Sequence, residues 1–272
     1  MSSVTVLGAS GFIGSHVVQR LEALQLDFYS PGREEDVRNK KLGNVIYCIG
    51  LTADFRDRPF ETVEAHVCKL LQVLRDSEFD SLLYLSSTRL YDSQSAAREE
   101  HALQIEPSKA GNLYNISKAM GESLALSSGK KVRIARLSNV YGGDFSSGNF
   151  LSSIIRDAVT TRKVTLQTSF DSEKDYISVE SVADLLIKIA TASSETIYNL
   201  ASGTNISNFA LTERIRNLTG CEVVVTPGAP KIVFPHINIE RIRREFNFKP
   251  MSVVDDMDRL VHIHKMQIRR NS

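Results

Sequence analysis

Short apolar runs alternate along the chain with longer segments in which apolar residues recur every three or four positions. The runs lie at 4–7, 45–49, 82–85 and 132–136, and the longer segments at 12–24, 59–75 and 108–127. A short continuous run is typical of a strand buried on both faces, and the longer spacing predicts a helix. Their alternation predicts an α/β fold with a parallel sheet covered by helices on both faces.

The first apolar run ends in a glycine-rich turn with the spacing G-x-x-G-x-x-G, and a helical spacing follows directly. A strand, a tight turn and a helix N-terminus point free backbone N–H groups and the positive end of the helix dipole at one spot, which suits a pyrophosphate. Glycine is needed where a Cβ would block the bend, the phosphate or the packing of helix on strand. We therefore predict a dinucleotide site here. Its predicted contacts are Gly8, Ser10, Gly11, Phe12, Ile13 and Gly14.

The residues that close the second strand bear on the choice of dinucleotide. An acidic residue there would bind the ribose 2′-hydroxyl of NAD and repel the 2′-phosphate of NADP. Ser30 and Arg33 follow the strand instead, and a hydroxyl with a guanidinium suits a 2′-phosphate. The acidic residues at 34–36 count against this, and the alternative is that Arg33 is a solvated loop charge. We expect NADP in preference to NAD, with Gly50 and Ser86 at later strand ends completing the site.

A tyrosine and a lysine lie one turn apart in the predicted helix 108–127. Tyr114 and Lys118 are at positions i and i+4, so they share one helical face. A tyrosine has an ordinary pKa of about 10, and a neighbouring ammonium lowers it. The phenol can then exchange a proton with a substrate oxygen while a hydride passes to or from nicotinamide, and Ser87 can hold the same oxygen. The Y-x-x-x-K pattern recurs by chance, but after the glycine turn and the serine-rich strand end it indicates this chemistry.

These segments together resemble the extended short-chain dehydrogenase/reductases of the NAD-dependent epimerase/dehydratase family. The resemblance rests on the glycine turn, the serine-rich strand end LSSTRLY at 85–91, Tyr114 with Lys118, RLSNVYG at 136–142, KDYISV at 174–179, YNLASG at 198–203 and FNFKP at 246–250. It covers nearly the whole chain in order. The combination is specific for the family but does not identify a substrate.

The resemblance implies roles for individual residues. Tyr114 would be the catalytic acid/base, Lys118 would lower its pKa and bind the nicotinamide ribose, and Ser87 would stand for the family's catalytic serine or threonine. It also implies a nucleotide-activated sugar as substrate, held by the C-terminal part, with Asn139 meeting the sugar diphosphate. The implied substrate contacts are Ser87, Thr88, Asn139 and Lys174.

The chain departs from the family's pattern in ways that concern the substrate more than the hydride chemistry. Lys174 stands where the family usually has an arginine that clamps a phosphate, and lysine lacks the two-pronged geometry. His66 stands where asparagine is frequent, and Asp92 replaces a glycine. The segment before Asn44 is too short for a crossover helix and a further strand.

We therefore expect an NADPH-dependent reductase of a 4-keto nucleotide sugar that uses Ser87, Tyr114 and Lys118. The alternative is an NAD-dependent nucleotide-sugar 4-epimerase or dehydratase. A third hypothesis is a non-catalytic NAD(P)-binding regulatory protein, for which loss of the tyrosine or the lysine would be expected; both are present.

The expected architecture is a Rossmann-like doubly wound parallel sheet with a smaller C-terminal α/β substrate-binding part. We predict a dinucleotide-binding domain at 1–145 and a mainly substrate-binding part at 146–272, with a strand and helix near 163–200 returning to the first domain. Family analogy implies a homodimer through helices 59–75 and 108–127. The alternative is that these helices only pack on the sheet.

Composition excludes some partners. With 33 basic and 32 acidic residues the net charge is +1, so no bulk attraction to nucleic acid or an anionic membrane is expected. The 3 cysteines fit neither a disulfide framework nor a zinc site, and we expect no metal. His262 and His264 are interpreted as solvated. The N-terminus resembles no signal peptide and no segment is apolar enough to span a membrane, so a cytoplasmic location is expected.

Overall fold

The computed structural model describes residues 3–52, 54–92, 97–109 and 111–271. Its strands are β1 Val4–Leu7, β2 Phe28–Tyr29, β3 Asn44–Tyr47, β4 Ser81–Ser87, β5 Val132–Leu137, β6 Asn139–Tyr141, β7 Lys163–Leu166, β8 Glu173–Ser178, β9 Ile197–Leu200, β10 Asn205–Ser207 and β11 Glu222–Val225. Its helices are α1 Phe12–Ala23, α2 Pro59–Val63, α3 Lys69–Asp76, α4 Leu113–Ser127, α5 Phe150–Thr160, α6 Val179–Ala192, α7 Asn208–Thr219, α8 Glu240–Phe246 and α9 Met257–Asn271. A π-helical turn, Glu64–Cys68, joins α2 to α3, and a 3₁₀ turn, Thr88–Tyr91, follows β4.

The central sheet has six strands in the order β2-β1-β3-β4-β5-β9, all of them parallel. This confirms the predicted doubly wound parallel sheet. The strand order reverses between β1 and β3, because the chain first adds β2 on one side of β1 and then builds outward on the other. In such a sheet the crevice at the carboxyl ends of these two strands is where ligands bind.

Alternate side chains along the central strands enter two different cores. Leu83 and Leu85 of β4 pack in a cluster with residues of α1 and α6, whereas Leu82 and Tyr84 pack in a cluster with residues of α3 and α4. Successive residues of a strand point to opposite faces, so a strand covered on both sides must be apolar throughout. The helices on the two faces thus account for the unbroken apolar runs.

The C-terminal part adds a smaller set of layers. A three-stranded sheet, β10-β8-β6, and a parallel pair, β11-β7, are accompanied by α5, α7 and α9, which share a third apolar cluster. The chain also returns to the first part, since β9 pairs with β5 at the edge of the central sheet and α6 packs beside α1. The ends of β6 and β8 therefore lie close to the carboxyl end of β5.

Two helices differ from their predicted bounds. The predicted helix 59–75 is interrupted by the π-helical turn at 64–68, which the apolar spacing does not reveal. The predicted helix 108–127 begins only at Leu113. Gly111, with φ of +85°, lies just before it in a left-handed conformation that a helix cannot include. Residue 110 lies outside the described residues.

Two further expectations concern single segments. Residues 32–43 carry no helix and no strand of a sheet, only a single bridge between Lys41 and Glu78, which agrees with the shortness of the segment before Asn44. The interpretation of His264 as solvated is wrong, because it is buried with its ring 4.5 Å from that of Phe145. Within the described residues no helix is both long and apolar enough to cross a bilayer, and no group of three or more potential metal ligands is found.

Candidate functional site

The glycine turn between β1 and α1 is shaped by the absence of side chains. Gly8 has φ of +85°, a conformation that strains other residues. A Cβ on Gly14 would lie only 2.2 Å from the carbonyl oxygen of Gly8, so the helix packs directly on the turn. A Cβ on Gly11 would meet that oxygen alone, at 3.3 Å. No side chain caps the N-terminus of α1, which leaves its first N–H groups available to an anion.

A cleft of about 1120 Å³ opens over this turn, at the predicted crevice. The predicted cofactor residues that line it are Gly8, Ser10, Gly11, Arg33 and Gly50. Phe12, Ile13 and Gly14 are not among the described residues that line it: the ring centroid of Phe12 lies 5.2 Å from that of His16, and Ile13 packs against the first apolar cluster. The cleft is large enough for a dinucleotide, and its floor is the glycine turn.

Acidic side chains in the loop after β2 are paired with residues of the same part of the chain. Glu35 accepts hydrogen bonds from the Gly32 N–H at 3.1 Å, from Lys40 Nζ at 2.7 Å and from the Tyr29 hydroxyl. Its hydrogen bond with Lys40, followed by that with Tyr29, lowers the pKa of Glu35 to about 2. The carboxylate of Glu35 is therefore paired with groups of its own loop.

Asp36 is occupied in the same way by Arg38, whose guanidinium reaches both carboxylate oxygens at 2.9 and 2.6 Å. Arg33, which lines the cleft, has only Glu34 near it, at 3.9 Å, and its side chain is 79% exposed. Two of the acids that counted against a 2′-phosphate site thus have cationic partners of their own. The guanidinium of Arg33 keeps its charge free for a ligand in the cleft.

Gly50 lines the cleft and also lies next to Lys118, on the helix that carries Tyr114. A Cβ on Gly50 would lie 3.3 Å from His66 Nε2 and 3.4 Å from Lys118 Nζ. Tyr114 is itself only 4% exposed, and the hydroxyl of Ser87 is its hydrogen-bond partner. The structure therefore places Ser87 against the Tyr114 hydroxyl and Lys118 beside Gly50, one helical turn from Tyr114; among the described residues that line the cleft, Gly50 is the one next to Lys118.

Ser87 is oriented to donate to the phenol. Its Oγ accepts the backbone N–H of Arg89 at 3.2 Å, so its own hydrogen is free for the oxygen of Tyr114. Burial raises the pKa of Tyr114, whereas the Ser87 hydrogen bond and the positive charge of Arg89 lower it. A phenol with this environment is protonated at neutral pH and is a proton donor.

The side chain of Lys118 is held by β4. Its Nζ donates to the backbone oxygen of Leu85 at 2.8 Å and lies 5.1 Å from the ring of Tyr84. Burial lowers the pKa of Lys118 to about 7, opposed by the negative charge of Glu122. The cation whose charge lowers the pKa of Tyr114 here is Arg89, after the larger effect of the Ser87 hydrogen bond; the role implied for Lys118 stays a prediction.

His66 is a buried part of the site to which the sequence assigns no role. Its ring stands edge-on to that of Tyr114, with centroids 5.4 Å apart. Ser117 donates its hydroxyl hydrogen to the backbone oxygen of Tyr114, so His66 Nδ1 donates to Ser117 Oγ at 2.8 Å and Nε2 accepts the Leu51 N–H at 3.2 Å. Burial, with the charge of Lys118, lowers the pKa of His66 to about 2, so the ring is neutral. Its two hydrogen bonds connect the loop at Leu51 to α4 at Ser117.

Arg89 is the second residue to which the sequence assigns no role. Its guanidinium carbon lies 5.2 Å from the ring of Phe55 and 5.0 Å from the ring of Tyr114. Arg56 lies 4.7 Å from the ring of Phe55, and Lys174 Nζ lies 4.9 Å from the ring of Phe150. The only sequence signal was a charged residue directly after the serine-rich strand end, where the carboxyl end of a strand faces the site.

The other predicted substrate residues are placed differently from one another. Thr88 is buried, and its hydroxyl donates to the backbone oxygen of Leu137 at 3.3 Å. Asn139 is exposed at the start of β6, held by a bond from Nδ2 to the backbone oxygen of Asp175 at 2.8 Å. Ser86 Oγ is buried with no hydrogen-bond partner in the described part of the chain. Asn139 is therefore accessible to a substrate, whereas Thr88 serves the packing of β4 on β5.

Comparison with known proteins agrees with this geometry. The model of the NAD dependent epimerase/dehydratase family matches residues 45–201, more than half of the chain. A dTDP-4-dehydro-6-deoxy-D-allose reductase of Streptomyces sp is 23% identical, with 97% of each chain covered.

Solved structures share the fold. MoeE5 in complex with UDP-glucose and NAD superposes with a TM-score of 0.82 at 17% identity, covering 98% of this chain and 99% of that one. RMD from Pseudomonas aeruginosa complexed with NADPH gives a TM-score of 0.75 at 20% identity, covering 96% and 97%.

Proposed function

Because the chain belongs to the NAD-dependent epimerase/dehydratase family of extended short-chain dehydrogenase/reductases, we propose that it transfers a hydride between a nicotinamide cofactor and a nucleotide-activated sugar. The observation that carries this proposal is the buried Tyr114 with Ser87 at its hydroxyl, next to Lys118 and joined to the cleft at Gly50. The third hypothesis, a non-catalytic binding protein, requires none of this arrangement.

The chain's own residues supply binding and proton transfer. The N–H groups at the start of α1 would hold the cofactor's pyrophosphate, and Gly50 leaves room for the ribose beside Lys118. The bound nicotinamide supplies the hydride. Ser87 donates a hydrogen bond to the reacting oxygen, and Tyr114 gives its proton to that oxygen as the carbonyl becomes an alcohol. Lys118, with its pKa of about 7, can return a proton to the site at neutral pH.

The reaction subtype follows from the cofactor. Arg33 projects from the loop over the cleft while Glu35 and Asp36 are occupied by Lys40 and Arg38, which favours a 2′-phosphate and hence NADPH. A cofactor that arrives reduced and leaves oxidised suits a reductase. The function we propose is therefore NADPH-dependent reduction of a 4-keto nucleotide sugar.

The test is a pair of assays on the purified protein. With NADPH and a dTDP-4-dehydro-6-deoxyhexose, the proposal predicts loss of the reduced-nicotinamide absorbance with one equivalent of alcohol formed. With UDP-glucose and NAD, a 4-epimerase would instead give UDP-galactose with no net change in absorbance. Product in the second assay alone would replace the reductase by the epimerase, and no product in either would refute hydride transfer to such sugars.

Homodimer formation through 59–75 and 108–127 is part of the same proposal. Phe60 is 86% exposed, and Leu71, Met120 and Leu126 are further apolar side chains exposed on α3 and α4. Such residues on neighbouring helices favour a partner surface. Sedimentation equilibrium should give twice the chain mass. A monomer would contradict the dimer and mean that these helices only pack on the sheet.

We further propose that 1–145 binds the cofactor and 146–272 mainly the sugar, and that the protein works in the cytoplasm. Three free cysteines, Cys48, Cys68 and Cys221, suit a reducing compartment. Limited proteolysis with and without nucleotide sugar would check the division, since protection by the sugar should concentrate after residue 145.

A further inference from the structure

Arg89 is held beside Tyr114 by its own backbone and by two aromatic rings. Its backbone N–H donates to Ser87 Oγ at 3.2 Å, which fixes the start of the 3₁₀ turn after β4. Its guanidinium carbon lies 5.2 Å from the ring centre of Phe55 and 5.0 Å from that of Tyr114. The two rings are neighbours themselves, with centroids 5.1 Å apart. The positive charge of Arg89 therefore has a defined place next to the catalytic phenol.

The charge of Arg89 is retained although the side chain is largely enclosed. Burial lowers the pKa of Arg89 and the phenol of Tyr114 raises it, with smaller opposing effects from Arg56, which lowers it, and Asp92, which raises it. A guanidinium has an ordinary pKa above 12, so Arg89 remains a cation at neutral pH. The interaction is mutual, because the charge of Arg89 in turn lowers the pKa of Tyr114.

The other titratable groups around the phenol are neutral or vary in charge near neutral pH. Burial lowers the pKa of His66 to about 2, and burial raises the pKa of Tyr84, so both are uncharged. Lys118, one turn further along α4, donates to the Leu85 oxygen, and its pKa of about 7 makes it a cation in only part of the molecules at pH 7. The charged groups that interact with Arg89 itself are Arg56, Asp92 and Lys174.

Tyr114 becomes an anion during the proposed reaction. When the phenol gives its proton to the reacting oxygen, its O–H bond breaks and the electron pair stays on the phenol oxygen. A buried phenolate is unfavourable without a positive charge nearby, and a cation within a few ångströms offsets this cost. A cation that is in place beforehand needs no rearrangement while the proton moves.

We propose that Arg89 is a positioning residue for the proton transfer, whose guanidinium stabilises the phenolate of Tyr114 and so sets how readily the phenol gives up its proton. This inference rests on the proposed function, because it takes Tyr114 as the proton donor. Arg89 acts through Tyr114 and requires no contact with the substrate. It is thus a fixed charge at the site, whereas the charge of Lys118 changes with pH near neutrality.

The test measures the ionisation of residue 114 without a substrate. Tyr114 is replaced by a fluorinated tyrosine, whose ring fluorines lower the pKa of the phenol into the range where the protein is folded. The fluorine NMR signal is then followed against pH with NADP added. Arg89→Gln should raise the titration midpoint by about one pH unit or more, as expected when an opposite charge at this distance is removed.

Turnover of the protein with its natural tyrosine gives a second readout. Because a weaker acid donates its proton more slowly, Arg89→Gln should lower kcat by about three- to tenfold. The KM for the nucleotide sugar should stay within about twofold, since no contact with the sugar is removed.

Three further variants separate charge from packing. Arg56→Gln removes the same charge from an exposed arginine that lies 4.7 Å from the ring of Phe55, so it is the matched control and should leave the midpoint within about 0.3 pH unit. Arg89→Lys keeps the charge and should stay within about half a pH unit of the wild type. Arg89→Met fills the space between the rings without a charge, so it should raise the midpoint even where the glutamine variant fails to fold.

The contrary outcomes are distinct from one another. An unchanged midpoint in Arg89→Gln or Arg89→Met, or an equal rise in Arg56→Gln, would overturn this inference and leave hydride transfer intact. A rise in Arg89→Lys as large as in the neutral variants would assign the effect to packing and overturn it as well. The proposed function fails separately, when neither assay for hydride transfer yields product although the neutral variants raise the midpoint.

Discussion

The glycine turn and the surroundings of Tyr114 are built by different means. At the glycine turn, one continuous segment forms the site with its backbone. The turn depends on glycine because a Cβ at Gly14 would clash with the Gly8 oxygen. At Tyr114, the site is made by side chains from separate segments, with His66, Ser87 and Arg89 each bound to a different neighbour. Steric demands on a backbone are local in sequence, whereas charge and polarity at the second site are set by the fold.

This difference has a practical meaning for substitutions. Changes at the turn should act on cofactor binding and folding together, because the turn is also where α1 packs on β1. Changes around Tyr114 should act on turnover or on ligand choice while the cofactor still binds. The following experiments, in order of expected effect, would sharpen or break this separation.

Tyr114→Phe should have the largest effect on turnover. It removes the proton that the reacting oxygen receives, and loss of a general acid typically costs about 10²–10⁴-fold. Cofactor affinity, measured by fluorescence titration with NADPH, should change by less than about twofold, since the ring and its packing remain. Full activity in the variant would mean that another group, such as Ser87, carries the proton.

Gly14→Ala should damage the cofactor end. Its methyl group would lie 2.2 Å from a backbone oxygen, so α1 must shift, and both the melting temperature and the NADPH affinity should fall. We expect a loss of affinity of about tenfold or more. Gly148→Ala, where a Cβ would meet nothing within 4 Å, is the control and should match the wild type. An unaffected Gly14→Ala would show that the turn is less tightly packed than the distances indicate.

Arg33→Ala should weaken NADPH more than NADH. The guanidinium is exposed and pairs only distantly with Glu34, so its removal should leave folding unchanged. Loss of one charge-assisted contact to the 2′-phosphate predicts a decrease of about tenfold in NADPH affinity, with NADH nearly unaltered. An equal loss for both cofactors would remove the basis for the NADP preference.

Lys118→Met should make stability less dependent on pH. Burial holds the pKa of Lys118 at about 7, below its ordinary 10.5, so between these values the unfolded chain binds more protons than the folded one. The cost of burying Lys118 therefore decreases, and the free energy of unfolding of the wild type increases, as the pH rises from about 7 to about 10. The variant should melt a few degrees higher near pH 6, roughly 2–4 °C, with the gain shrinking towards pH 10. Parallel melting curves across this range would show that Lys118 is solvated.

Much of the scaffold was predictable because it obeys local rules. The four apolar runs located four of the six strands of the central sheet, β1, β3, β4 and β5, and the positive φ of Gly8 matches the bend expected of the first glycine. Tyr114 and Lys118 lie in the same helix, as predicted, and their spacing singled them out together with the glycine turn and the serine-rich strand end. The beginning of α4 was missed because Gly111 acts through its own backbone conformation rather than through the apolar pattern.

The electrostatics of the site was not predictable from the same information. The contact of Arg89 with the ring of Tyr114 and the hydrogen bond of Lys118 to the Leu85 oxygen both depend on neighbours that only the three-dimensional fold brings close. In the sequence, the acidic residues near Arg33 count against binding of a 2′-phosphate. In the fold, Glu35 forms an ion pair with Lys40. Charges close in sequence do not show which pairs will form.

The π-helical turn at Glu64–Cys68 has a consequence for how this chain can vary in length. An α-helix advances about 100° per residue, so an insertion or deletion within it normally turns every later side chain away from its layer. A π-helical turn holds one surplus residue in its widened loop and returns the remainder to register. Removing one residue from this stretch would tighten it into ordinary helix and leave α3 seated on the sheet. Of the positions along 59–76, we expect this stretch to tolerate the loss of a single amino acid without rearrangement of the layer beneath.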